Sequence, residues 1–189
     1  MKPNLTEVDA GHPRVLLDAG TIARRVAELG RQITGDYAGR RLCLVGVLKG
    51  SIIFFADLAR AIDLPLSCSF IGISSYGDQR HSSGRVRVTQ PLEDDIEGKD
   101  VLLVEDIVDS GLSMRTLFDY LSARKAASVT ACTLLKKPSN LRVEVVVKYV
   151  GFSIADHFVV GYGLDDRGLC RNLPFIGVRD PGDGQQQPS

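Results

Sequence analysis

No excess of either charge sign marks this 189-residue chain: it carries 23 Lys and Arg against 23 Asp and Glu, for a formal net charge of zero. Such a balance gives no electrostatic reason to expect nucleic acid or a membrane surface as partner, although local charge can still hold small anions. No stretch approaches the ~20 apolar residues that a spanning helix needs. The opening MKPNLTEVDAGHP lacks a basic stretch followed by an apolar run, so no signal peptide is expected. No CxxC pair occurs. Cys43, Cys68 and Cys132 lie in apolar, strand-like runs and read as buried free thiols, which points to a reducing cytoplasm. Cys170 sits in a polar loop and is the one thiol open to reaction. The three histidines, His12, His81 and His157, are too scattered for a transition-metal site. There is no internal repeat.

What remains is an ordinary soluble composition, 44% hydrophobic and 24% charged, in a length that suits one domain with a small lid or hood. Ile22, Val26, Leu29 and Ile33 recur at spacings of three and four, which predicts an amphipathic helix over 18–34. Short apolar runs at 42–47, 68–74, 101–104, 128–135, 143–150 and 157–162 predict strands. Helices are expected over 51–62 and 113–125. RVRVTQ (85–90) alternates with period two, as a half-exposed edge strand does. Continuous apolar strands alternating with helices argue for an α/β fold with a mostly parallel sheet covered on both faces. In such sheets ligands sit at the carboxyl ends of the strands. The loops after residues 47, 104, 135 and 162 therefore carry the functional expectation. Residues 180–189 are polar and rich in Gly, Gln and Pro, and read as a frayed tail beyond a single domain over 1–179.

The most informative loop lies in VLLVEDIVDSGLSM (101–114). Glu105 and Asp106 are adjacent carboxylates at a strand's carboxyl end, good acceptors for vicinal hydroxyls or for water around a divalent cation. Asp109, Ser110, Gly111, Leu112 and Ser113 then lead into a helix. A glycine, two hydroxyls and the free N–H groups of a helix start make a cradle for a phosphate monoester. No lysine follows the glycine, so this is not the phosphate loop of NTPases. On these residues alone, an acidic turn with Ser113 as a plain N-cap is the competing reading.

The order of apolar strand, two acids, two apolar residues and Asp-Ser-Gly resembles the motif with which type I phosphoribosyltransferases bind phosphoribosyl pyrophosphate (PRPP). The resemblance implies that Glu105 and Asp106 bind the ribose 2′ and 3′ hydroxyls and that Asp109–Ser113 hold the 5′-phosphate. In the 6-oxopurine branch, the residue matching Asp109 lies near purine N7 as the proposed general base. VLKGS (47–51) resembles the family's pyrophosphate loop, which implies diphosphate contacts from Lys49 and Gly50 and a cis Leu48–Lys49 peptide.

LLKKPSN (134–140) and HFVVGYGLDDRGLCRNLPF (157–175) resemble the hypoxanthine/guanine members. Taken alone, Lys136 is a solvated lysine and Phe158 a core aromatic. By the resemblance, Lys136 donates to purine O6, Phe158 stacks on the base and the Val159 backbone reads the ring edge. Asp165 coordinates Mg²⁺, with Glu105 and Asp106 as further metal-binding carboxylates, and Arg171 binds pyrophosphate. Segment 74–85 is either a hairpin tip or the family's flexible loop, whose Ser-Tyr pair matches Ser75 and Tyr76. The resemblance spans residues 14–179 and implies transfer of a ribose 5-phosphate unit from PRPP to hypoxanthine or guanine. It also implies a cytoplasmic homodimer or homotetramer acting on small molecules, with no nucleic acid or membrane partner. The alternatives are an RNA-binding, nucleotide-sensing regulator of the same fold, or a relative acting on xanthine, uracil, orotate or adenine.

Overall fold

The computed structural model describes residues 13–75 and 86–179. In chain order the elements are β1 (Arg14–Leu17), α1 (Ala19–Asp36), β2 (Leu42–Leu48), α2 (Ile52–Ala61), β3 (Leu66–Ser75) and β4 (Val86–Gln90). They continue with β5 (Asp100–Val108), α3 (Leu112–Ser122), β6 (Ser128–Lys136), a single 3₁₀ turn at Pro138–Asn140, β7 (Tyr149–Ser153), β8 (Val159–Val160) and β9 (Ile176–Val178).

Six strands form one sheet in the order β4-β3-β2-β5-β6-β7. Every neighbouring pair is parallel except the edge strand β4, which runs antiparallel to β3. The period-two alternation of apolar residues builds a core on each face. Leu42 and Leu44 of β2 and Leu102 and Val104 of β5 pack toward α1 and α2. Cys43, Val45, Val47, Val101 and Leu103 pack on the other face with Met114, Leu117 and Leu121 of α3. Four α1 residues, Ile22, Val26, Leu29 and Ile33, are at most 3% exposed, as their spacing predicts. Asp18 caps this helix by accepting from the Thr21 N–H at 2.8 Å. No described helix is long and apolar enough to cross a membrane.

Several elements differ from the sequence expectation. The expected strand at 101–104 continues to Val108, so Glu105 and Asp106 lie inside β5 rather than beyond it. Of 143–150, only the last two residues join a strand, β7. The segment before it crosses the start of α3 instead, where the Arg142 and Val143 N–H groups donate to the Ser110 carbonyl at 3.0 and 3.4 Å. The run 157–162 contributes only the two-residue β8, in a separate antiparallel sheet ordered β1-β9-β8. This second sheet is a hood whose apolar residues Val159, Ile176 and Val178 join the α1–α2 core. Cys68 is exposed, not buried. The reason lies in the register: β4 pairs only with residues 72–75 of β3, leaving the first half of that strand at an open edge.

Candidate active site

β2, β5 and β6 run parallel, so their carboxyl ends share one rim of the sheet. At the end of β2 the Leu48–Lys49 peptide is cis, as expected from the motif. Lys49 is exposed, and Gly50 leads through the fully buried Ser51 into α2. The Ser51 hydroxyl donates to the Val47 carbonyl at 2.6 Å and so ties the turn to its strand. A Cβ at position 50 would overlap the Asp106 carboxylate. A Cβ at Gly163, in the hood, would overlap the Gly50 carbonyl. Glycine at both positions lets the hood turn meet the β2–α2 turn backbone to backbone and lets the latter lie against the Asp106 side chain.

On β5, Glu105 and Asp106 sit side by side. Glu105 Oε2 is shielded from solvent and has no hydrogen-bond partner. Burial first, and then the neighbouring Asp106 charge, push the Glu105 carboxyl well above its ordinary range. Burial also raises Asp106, against the opposing hydrogen bonds from Glu105 and from the Ile107 N–H at 2.8 Å. The pair therefore favours a proton more than free carboxylates do, and it keeps one unsatisfied acceptor that a hydroxyl donor would complete.

Past Val108 the chain turns into α3 through Gly111, which adopts φ +82° and stands at the N-cap. Ser113 is thus the second helical residue and not the cap. Gly111 supplies no capping side chain, and the Leu112 N–H has only a long 3.5 Å contact to Ser110 Oγ. The first turn of α3 borders a cavity of about 80 Å³ whose lining includes Glu105, Asp109, Ser110, Gly111, Ser113 and Met114. Unsatisfied donors at the positive end of a helix form an anion site. Two serine hydroxyls and the Gly111 backbone are the groups of this lining that suit a phosphate.

Asp109 is exposed but not loose. Its Oδ1 accepts from Asn140 Nδ2 at 2.9 Å and its Oδ2 from Lys137 Nζ at 3.4 Å. Lys137 is only 7% exposed, and its ammonium also meets Asp156 Oδ1 at 3.0 Å. That contact, with a further one from Asn140, holds the Asp156 carboxyl below its usual range. Lys137 and Asn140 are functional candidates that the sequence reading missed. Of two consecutive lysines the reading chose Lys136, but Lys136 is the last residue of β6, in register with Val108 and Ser153. The chain leaves the sheet one residue later, and that departure carries Lys137, not Lys136, over Asp109. Only the end of the strand separates the two, and strand ends are the least legible feature of a sequence.

The hood supplies the rest. Phe158 is 51% exposed, a large aromatic with an open face, while Val159 beside it is buried and pairs with Val178. Asp165 Oδ1 lies 2.5 Å from Arg171, and its Oδ2 accepts from the Gly168 N–H at 2.6 Å. Arg171 donates a second bond to the Gly163 carbonyl at 2.6 Å. The expected metal set of Asp165, Glu105 and Asp106 does not converge: among the described residues, no three His, Cys, Asp or Glu side chains could hold an ion together. A Mg²⁺ ion commonly rests on one or two carboxylates plus substrate phosphates. The partly exposed Asp165 fits that mode; the Glu105–Asp106 pair, whose carboxyls are both raised by burial, fits hydroxyls better. Ser75 closes β3 at the same rim as Lys49, and Tyr76 lies outside the described residues. His157 is partly buried with no role at the site, and His12 and His81 lie outside the described residues.

Residues 15–167 match the family described as phosphoribosyl transferase domain. The hypoxanthine-guanine phosphoribosyltransferase of Mycobacterium tuberculosis is 49% identical over 173 residues, covering 88% of this chain and 86% of that protein. The enzyme of that name from Dictyostelium discoideum is 49% identical over 167 residues, covering 86% and 93%. A solved hypoxanthine phosphoribosyltransferase from Staphylococcus aureus superposes with a TM-score of 0.87 at 44% identity, covering 92% of this chain and 94% of that one.

Proposed function

The chain belongs to the phosphoribosyltransferase family, and from that membership we propose that it transfers the 5-phosphoribosyl group of PRPP to N9 of a 6-oxopurine, hypoxanthine and also guanine, releasing pyrophosphate. The observation that carries the choice of base is the buried Lys137 ammonium, held beside Asp109 near the rim where the sugar phosphate would lie. Lysine only donates. A 6-oxo group accepts from it, whereas the C6 amine of adenine sets donor against donor. Buried polar mismatches of that kind discriminate by up to ~10⁴–10⁵.

In this reading the 5′-phosphate rests on the N–H groups and hydroxyls of Asp109–Ser113, and the ribose 2′ and 3′ hydroxyls donate to Glu105 and Asp106. Lys49, the Gly50 backbone and Arg171 face the diphosphate. Phe158 stacks on the purine and the Val159 backbone reads its edge. Mg²⁺, held by Asp165 and diphosphate oxygens, would neutralise charge on the leaving group. Asp109, aimed by Lys137 and Asn140, accepts the N7 proton as the base becomes the nucleophile. A cytoplasmic location and assembly as dimers or tetramers belong to the same proposal, the second measured by sedimentation. The regulator reading is set aside, since the relatives are transferases and the chain has no net positive charge for RNA.

The test is nucleotide formation from PRPP and Mg²⁺ with hypoxanthine, guanine, xanthine and adenine in parallel. Turnover of oxopurines without adenine is expected. Adenine used as well as hypoxanthine would remove the donor argument. Substitution then separates the two lysines. Lys137→Gln, which offers both a donor and an acceptor, should lower kcat/KM for hypoxanthine by about 10–100-fold and narrow the gap to adenine. Lys136→Gln should leave both within about two-fold. The reverse pattern would return the oxo contact to Lys136.

A further inference from the structure

Tyr162 stands in the hood turn between Gly161 and Gly163, which adopt φ +96° and +104°. Unlike them it carries a side chain, yet it too is left-handed, at φ +49°. An aromatic residue holds that conformation only where its surroundings impose it. Two anchors do so. The ring is buried, 7% exposed, in the α1–α2 core. The hydroxyl donates to Asp57 Oδ2 at 2.5 Å. Asp57 lies on α2, the helix that begins directly after Lys49, Gly50 and Ser51, and Arg60 one turn later holds its other oxygen at 2.5 Å.

The neighbours of Tyr162 give this anchor a purpose. Its N–H donates to the Leu173 carbonyl at 2.8 Å, and the Gly163 N–H donates to the Arg171 carbonyl at 2.9 Å. Arg171 in turn reaches back to the Gly163 carbonyl and pairs with Asp165. Gly163 presses on the Gly50 carbonyl. The α2 helix thus bears the Lys49–Gly50 loop at its start and the Tyr162 anchor one turn further on. A rigid helix with both attachments fixes the span between that loop and the turn carrying Asp165 and Arg171. We propose that the Tyr162–Asp57 hydrogen bond is a positioning device that sets this span to the length of a diphosphate, making Tyr162 and Asp57 determinants of PRPP affinity without touching it. The inference rests on the transferase reading for the identity of its ligand.

Tyr162→Phe keeps the ring and removes only the hydroxyl. PRPP with Mg²⁺ is titrated calorimetrically into wild type and variant, and KM and kcat are measured with hypoxanthine. PRPP affinity should fall about ten-fold, because the diphosphate must then itself hold the loop and the turn at the bound span. The hypoxanthine KM and kcat should stay within about two-fold, and the melting temperature within a few degrees. Asp57→Asn, which keeps an acceptor oxygen, should retain most of the affinity. Asp57→Ala should match Tyr162→Phe, and the double variant should be no worse than either. Unchanged PRPP affinity in Tyr162→Phe overturns the proposal. So does a loss shared equally by PRPP and hypoxanthine with a large fall in melting temperature, which marks a merely structural contact, and so does an additive double variant. Wild type that binds PRPP but transfers to no purine would defeat the transferase reading alone, since the calorimetric comparison still reports on the anchor.

Discussion

Asp109→Asn is expected to lower kcat by about 10²–10⁴-fold, the usual worth of a positioned general base, while the KM for PRPP moves by less than about three-fold. The carboxylate is oriented from both sides, by Asn140 at 2.9 Å and by Lys137 at 3.4 Å. Asparagine fills the same volume and can keep one acceptor oxygen on a donor. It cannot take a proton. The phosphate cradle, built on backbone N–H groups from Gly111 onward, is untouched by the change, so PRPP binding should survive. Steady-state kinetics with hypoxanthine tests this. A kcat within a few-fold of wild type would remove Asp109 from the base role and leave it as a support for Lys137.

Glu105→Gln should weaken PRPP binding by about a hundred-fold and at the same time make the empty protein more stable. The two effects share one cause. Folding encloses the Glu105 carboxyl beside Asp106 and leaves one oxygen without a partner. A neutral amide relieves that arrangement, and relief of active-site strain commonly yields about 0.5–2 kcal/mol. Its pH dependence has a definite sign. The folded-state pKa lies above the ordinary value of 4.5, so in the window from there upward the native state keeps a proton that the unfolded chain has released. Rising pH through that window costs wild type stability and costs the variant none. The gap in melting temperature should be near zero at about pH 4 and should widen toward neutral pH. Thermal unfolding of both proteins across this range, without ligand, measures it. A constant gap, or none, would mean that the carboxyl ionises freely. At one and the same PRPP concentration wild type should gain more stability than the variant, since the gain grows with the logarithm of ligand concentration over Kd.

The residues proposed to hold phosphate and ribose are legible because they are consecutive. Glu105 to Ser113 lie on one strand end, one turn and one helix start, so a local motif states a complete site. The Leu48–Lys49–Gly50 turn is legible for the same reason. The hood was not. β1, β8 and β9 have four, two and three residues, too few for any period to show, and they pair only with one another. That Lys137 rather than Lys136 meets Asp109 is not legible, because the two lysines are adjacent and only the last rung of β6 tells them apart. Residues 143–148 look like a strand because their valines are close together. What they do instead is cover Gly111, and the difference shows in burial: Val145 is 7% exposed and Val146 78%. Tertiary contact overrode composition there.

The hood sheet also places a condition on when the site can exist. Arg14 pairs with Val178 and Val15 with Gly177, so strands from opposite extremes of the described chain are neighbours. The six-stranded sheet is complete by Ser153, and the phosphate cradle can form within it. Val159 and Val160, directly after Phe158, gain their strand partner only when β9 arrives to lie between β1 and β8. During synthesis, which proceeds at ~5–20 residues per second, the emerging chain passes through a stage in which the six-stranded sheet can form and the hood sheet cannot. Closing the longest loop in the molecule is the slow kind of contact. The hood, and with it the proposed acceptor half of the site, waits until β9 has left the ribosome and can meet β1.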